Sequence, residues 1–107
     1  MINFNDYQKK AITTAVYPKK YGISYPVLGL AEEAGEVAGK VAKMMRDGIP
    51  LAKQKKNIEA EMGDVLWMLA ALAYDCGLSL QEIAEKNLMK LNARQSAGTL
   101  HGEGDNR

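Results

Sequence analysis

The residues NIEAEMGDVLWMLAALAYD, positions 57–75, carry the periodicity of a helix covered on more than one side. Ile58, Met62, Val65, Leu69 and Leu72 fall within about 40° of one direction at 100° per residue. Glu61 and Asp64 lie roughly 60° and 120° to one side of that stripe. Trp67 stands opposite it, inside the apolar run VLWMLAALA, so this helix needs neighbours on two faces. Trp67 therefore reads as part of a subunit interface in preference to a platform for stacking a base. Met68, on the flank of Asp64, could touch a base but reads as core filling.

Upstream, LGLAEEAGEVAGK, positions 28–40, repeats the design. Its stripe is Leu30, Ala34, Val37, Val41 and Met44, and Glu33 and Glu36 fall at the same two angles on the same side. If the two helices pack antiparallel through their stripes as an αα-hairpin, two acidic pairs, each spaced i and i+3, converge at the edge of the interface. Either pair alone is an ordinary solvated helix face. The same pair on two neighbouring helices is more informative. Like charges brought that close repel, so a converged cluster calls for a cation. Oxygen ligands without thiolate favour Mg²⁺, or Mn²⁺ as the alternative. A di-iron site would want Glu-x-x-His pairs, and the single His101 lies near the C-terminus.

Capping and breaking residues delimit the elements. A first helix, FNDYQKKAITTAVY, begins at Asn3 or Asn5 and ends before Pro18. Tyr17, Tyr21 and Tyr25, in and around the loop PKKYGISY, are candidates for stacking on a base or for pinning the loop. Pro26 suits the first turn of the second helix, which runs to about Arg46 and stops at Gly48. The third begins between Leu51 and Asn57 and ends near Asp75, before Gly77. Ser79 and Glu82 form a capping box for a fourth, which fades near Ala97. Its stripe is Leu80, Ala84, Leu88 and Leu91, and its matching flank carries Asn87, Lys90 and Arg94, basic where the others are acidic. A cation site beside anion-binding donors is what a nucleotide phosphate chain with Mg²⁺ needs. The expectation is an all-α fold with one helical domain over 1–97 and a polar tail over 98–107, mobile unless something docks it.

The remaining composition is restrictive. At 107 residues and a formal net charge of +1, the chain fits one domain and has no global field to draw it to nucleic acid or an anionic membrane. Cys76 has no disulfide partner, no apolar run approaches about eighteen residues, and MINFNDYQKK lacks a signal-peptide core. A reduced, cytoplasmic setting is the default expectation.

EEAGE followed by EMGD resembles the E-E-x-x-E … E-x-x-D signature of the MazG-like, all-α nucleoside triphosphate pyrophosphohydrolases, and the likeness runs from about YQKKA through KNLMKLNAR to HGEGDNR. The resemblance implies a four-helix bundle completed by oligomerisation, as homodimer or homotetramer. It implies hydrolysis of a nucleoside or deoxynucleoside triphosphate to the monophosphate and pyrophosphate with Mg²⁺. The family's metal ligands match Glu33, Glu36, Glu61 and Asp64, and Glu32 matches a further acidic residue of the motif. Asn87, Lys90 and Arg94 resemble residues that hold phosphate. Glu32 or Glu36 would orient or deprotonate the attacking water. The rival is a non-catalytic helical module that binds nucleotide or dimerises without turnover. A single short unit departs from the longer, two-unit members, which makes self-association the natural completion of the fold.

Overall fold

Four α-helices, α1 (Phe4–Ile12), α2 (Ser24–Asp47), α3 (Leu51–Asp75) and α4 (Leu80–Ala97), with one 3₁₀ turn at Lys19–Tyr21 and no strand, make up the computed structural model, which describes residues 1–107. α3 is the axis. α2 packs along one side of it as an antiparallel hairpin, and α1 and α4 pack on the other. α4 leaves α3 at a bend of 102°, and no single helix is long and apolar enough to cross a membrane.

The caps fall at the expected residues. Asn3 Oδ1 accepts the Asp6 N–H at 2.9 Å, and Ser79 Oγ accepts the Glu82 N–H at 3.2 Å. Gly48 closes α2 in the left-handed region at φ 65°, a conformation that glycine adopts without a Cβ penalty. The first helix is shorter than its sequence suggests. It stops at Ile12 because Thr13 and Thr14 turn their hydroxyls back onto the Lys10 and Ala11 carbonyls, at 2.6 and 2.7 Å, in place of continuing the ladder.

The freed segment becomes a clamp. Tyr17 stacks on Tyr25 with ring centroids 4.7 Å apart, and its hydroxyl donates to Asp75 Oδ2 at 2.6 Å. The same oxygen accepts the N–H of Ile23, whose φ of 68° is strained for a β-branched residue. Burial first, then the Asp75 hydrogen bond, pushes the Tyr17 phenol up to about 12. Tyr17 and Tyr25 thus pin the loop, while Tyr21 stays exposed under the Lys20 ammonium.

Trp67 is half-buried. α1 covers part of it: its indole N–H is shared between the Ala11 carbonyl at 3.2 Å and Thr14 Oγ1 at 2.9 Å, and Tyr17 meets the ring edge-on. The cover comes from the chain's own first helix and the turn after it, and the remaining surface of Trp67 lines an open pocket with Val16, Tyr17 and Tyr25. The same face holds the small core of Ala11, Ala70 and Leu80, flanked by Tyr7 and Leu66. Buried Gln8 ties it together, donating to the carbonyls of Ala70 and Leu78 and accepting the Leu80 N–H.

On the opposite face α2 and α3 meet through their flanks as much as their stripes. Met68, about 80° round α3 on the acidic side, is buried against Gly29, about 100° round α2 on its acidic side. A Cβ at Gly29 would overlap the Met68 thioether. With the helices rolled this way, the stripe residues Val41, Met62 and Leu69 remain exposed. Met62 and Leu69 line an open apolar groove of about 590 Å³ together with Ala34, Val37 and Val65. Only 10 of 107 residues are buried, so the core is small for the chain. The accessible surface is 8066 Å² where a compact monomer of 11.7 kDa shows about 5,900 Å². The radius of gyration is 16.7 Å where about 13 Å is usual.

Candidate metal centre on the α2–α3 seam

The roll that seats Met68 on Gly29 also carries charge into the seam. Glu33 projects from α2, and Glu61 and Asp64 project from α3 one turn apart. One carboxylate oxygen from each of the three lies within 4.8 Å of the others, with Glu33 and Glu61 partly buried and Asp64 exposed. Shielding from water, then the charges of Asp64 and Glu61, a hydrogen bond with Glu61 and the charge of Glu32 hold the Glu33 carboxyl above the usual carboxylate range. Repulsion among these groups is thus written into the geometry.

Two residues the motif does not include attend the cluster. Lys40 Nζ stands 3.6 Å from Glu61 Oε1. It is seven residues beyond Glu33, within about 20° of two full turns, so its place on the acidic flank could have been read from helical spacing. Tyr7 of α1 is the second: burial, then the charge of Asp64, raises its phenol. Nothing in the sequence pairs position 7 with position 64; the packing of α1 on α3 does.

The other candidate residues stand apart from this group. Glu32 and Glu36 are exposed and lie outside the three-carboxylate cluster. Asn87 is exposed on α4, and no hydrogen bond or ion pair joins α4 to the acidic residues of α2 and α3. Lys90 and Arg94 face the C-terminal segment. Lys90 Nζ and Arg94 Nη2 both reach Asp105 Oδ1, at 3.1 and 3.2 Å. The tail is therefore folded back on the helix because the basic flank docks it.

The donor set fits a hard divalent cation. It is all carboxylate, open to solvent on the Asp64 side, and short of positive charge, since one lysine faces three carboxyl groups. Such an arrangement can hold a metal through a few carboxylates while leaving positions for water and phosphate oxygens. Over residues 25–98 the sequence matches the family model of the MazG nucleotide pyrophosphohydrolase domain. The chain belongs to the MazG family.

The matched span opens in the first turn of α2 and closes at Gly98, the residue that caps α4, so it contains the acidic seam and the basic flank and omits α1 and the tail. The chain is 40% identical to the Gene 37 protein of Mycobacterium phage L5 in an alignment covering 94% of this chain and 96% of that protein. It is 36% identical to the protein YpjD of Bacillus subtilis (strain 168) over 61% of this chain and 60% of that one. No solved structure gives a significant match. As a MazG domain the chain is a hydrolase of the nucleotide pyrophosphohydrolase type, from a family typically dependent on divalent metal, and the three-carboxylate seam is where its own residues fit one.

Proposed function

We propose that this MazG protein hydrolyses nucleoside or deoxynucleoside triphosphates to the monophosphate and pyrophosphate with Mg²⁺, Mn²⁺ being the alternative ion. The observation that carries the reading is the convergence of Glu33, Glu61 and Asp64 in a chain of this family. In this reading those three, with Glu36 one turn further along α2, hold the metal. A divalent ion held by these residues would neutralise phosphate charge and make a coordinated water more acidic. Glu32 or Glu36 orients or deprotonates the water that attacks the α-phosphorus in line. The new P–O bond forms as the bond to the bridging oxygen breaks, and pyrophosphate leaves. Asn87, Lys90 and Arg94 hold phosphate oxygens, as charge-assisted donors suit them to do. A panel of triphosphates, assayed for pyrophosphate release with Mg²⁺ and with EDTA, tests the reading. Metal-dependent release from at least one member is expected. Nucleotide binding with no release from any member points to a regulatory module instead.

The same proposal includes self-association, as a dimer or tetramer. What supports it is the exposed stripe of Val41, Met62 and Leu69, the last two lining the apolar groove, together with an excess surface of about 2,200 Å² per chain over a compact monomer. Covering that excess on two copies would bury about 4,400 Å², within the range of obligate homodimers. Sedimentation should give a dimer or larger, and Leu69→Glu should dissociate it. A monomer at micromolar concentration overturns this part.

A further inference from the structure

The C-terminal segment meets the basic flank of α4 in a way that a loose tail would not. Gly98 at φ 72° reverses the chain, with the Thr99 N–H bonded back to the Arg94 carbonyl, and Gly104 at φ 75° makes a second left-handed turn. Those two turns return Asp105 to the helix that the segment has just left. There its carboxylate is shared by Lys90 and Arg94, while Arg94 Nη2 also donates to the Asp105 carbonyl at 3.0 Å and the Gly104 carbonyl at 3.4 Å. Arg107 fastens the loop from inside, donating to the carbonyls of Thr99, Leu100 and Gly104. Lys90 first, then Arg94, holds the Asp105 carboxyl below the usual range.

The fit is incomplete at one atom. The Arg94 side chain is only 7% exposed, yet its Nε is buried without a hydrogen-bond partner. Nε–H and the adjacent Nη2–H form the parallel fork that a two-oxygen anion fills, and a buried unpaired donor is costly. Asp105 brings one oxygen, shared with Lys90, and leaves half of the fork empty. A phosphate group offers three oxygens and more charge, enough to serve both arms of the fork and Lys90 together.

We infer that the segment Thr99–Arg107 is a tethered competitor for phosphate: Asp105 occupies the Lys90–Arg94 anion site until a nucleotide's phosphate chain displaces it and frees the tail. This rests on the proposal that Lys90 and Arg94 hold substrate phosphate. Because the tail is attached, it acts at an effective concentration of order millimolar, so weakly bound single phosphates lose to it and polyphosphates win. The device sets a threshold for entry and returns to the site when product departs.

Calorimetric titration of the full chain with inorganic pyrophosphate in EDTA tests it, using wild type, Asp105→Asn and Lys90→Ala. The Asn variant keeps the shape of the tail and removes its charge; helicity by circular dichroism checks the fold. Asp105→Asn should bind pyrophosphate at least about threefold more tightly, as the fraction of competent sites rises. Lys90→Ala should bind more weakly. Hydrogen exchange of the 99–107 amides should quicken when pyrophosphate binds to wild type. If binding depends on Lys90 but is equal in Asp105→Asn and wild type, the competitor role is wrong while the phosphate site stands. Weaker binding in Asp105→Asn would make the tail part of the site and also overturn competition. If no variant binds pyrophosphate and Lys90→Ala leaves triphosphate binding unchanged, the phosphate site fails, and the competitor with it.

Discussion

The α2–α3 seam and the α4 flank both gather like charges, but they differ in what answers them. On α4, Lys90 and Arg94 face a carboxylate that the chain itself delivers, Asp105. In the seam, Glu33, Glu61 and Asp64 face one another with a single partial answer, Lys40, which reaches Glu61 alone. The α4 flank has one carboxylate for two cations, and the seam keeps a repulsion that a cation would relieve. Packing beside the cluster, Met68 against Gly29, holds the two helices together despite that repulsion.

The largest expected effect breaks the seam's chemistry. Asp64→Asn and Glu61→Gln should each lower pyrophosphate release by orders of magnitude and reduce the thermal protection that Mg²⁺ confers, through the linkage by which a native-state ligand stabilises. Their metal-free stabilities should part. Asp64 has no cationic partner, so Asp64→Asn relieves repulsion and raises the melting temperature in EDTA. Glu61→Gln also gives up Lys40 and gains less. Melting curves of both variants with EDTA and with Mg²⁺ read the difference, and equal Mg²⁺ protection in wild type and both variants would refute the metal assignment.

A smaller effect tests the packing that holds the seam together. Gly29→Ala places a methyl where the Met68 Sδ and Cε now lie, the movable end of a flexible side chain, so an overpacking cost of about 1–3 kcal/mol is an upper bound, offset in part by the roughly 1 kcal/mol that alanine gains over glycine inside a helix. Because displacing Met68 disturbs the roll of α2 on α3, it should also weaken Mg²⁺ protection, although residue 29 is no ligand. Adding Met68→Leu, with a shorter side chain, should restore part of both losses. Full Mg²⁺ protection in a destabilised Gly29→Ala chain would separate the seam's packing from its charge chemistry.

The smallest effect is a slope. Glu33 has a folded-state pKa above its ordinary value of 4.5, so across the interval just above that value the native chain binds more protons than the unfolded one. Its contribution in EDTA is therefore destabilising at neutral pH and is relieved as pH falls through the raised value. Asp105 has the opposite sign: its folded pKa lies below 3.8, so its contribution is present above that value and is lost as pH falls through the lowered one. Urea melts from pH 3 to 7 should show the first slope vanish in Glu33→Gln and flatten with Mg²⁺, with the low-pH loss unchanged. A slope that survives Glu33→Gln assigns it to another group.

Much of this molecule was legible along the chain. The third helix and the end of the second follow from apolar spacing, Gly48 and Gly77, and the start of the fourth from Ser79, because capping and periodicity are local properties of a few consecutive residues. The stripe expected on α4 is not its packed face, since Leu88 and Leu91 are exposed while Leu80 and Arg94 are buried. The angular match of Glu33 with Glu61 and Asp64 was readable for the same reason, and so was Lys40. α1 ends earlier than its sequence suggests because the competing bonds of Thr13 and Thr14 leave only a weak mark along the chain. That α1 packs over part of Trp67 is likewise invisible locally, because the contact joins residues more than fifty positions apart.

Sequence by itself determined the all-helical architecture, the family and which carboxylates could share a flank, since each depends on helical geometry and on residue type. Only the tertiary structure decided the roll of α2 on α3, because that depends on whether Met68 finds a gap to fill across the seam, and Gly29 supplies it. That roll brings Glu33 within reach of Glu61 and Asp64, leaves Glu36 in solvent and opens the stripe as a groove. It likewise took the folded chain to show Asp105 on Lys90 and Arg94, a pairing made by two glycine turns whose direction no periodicity encodes.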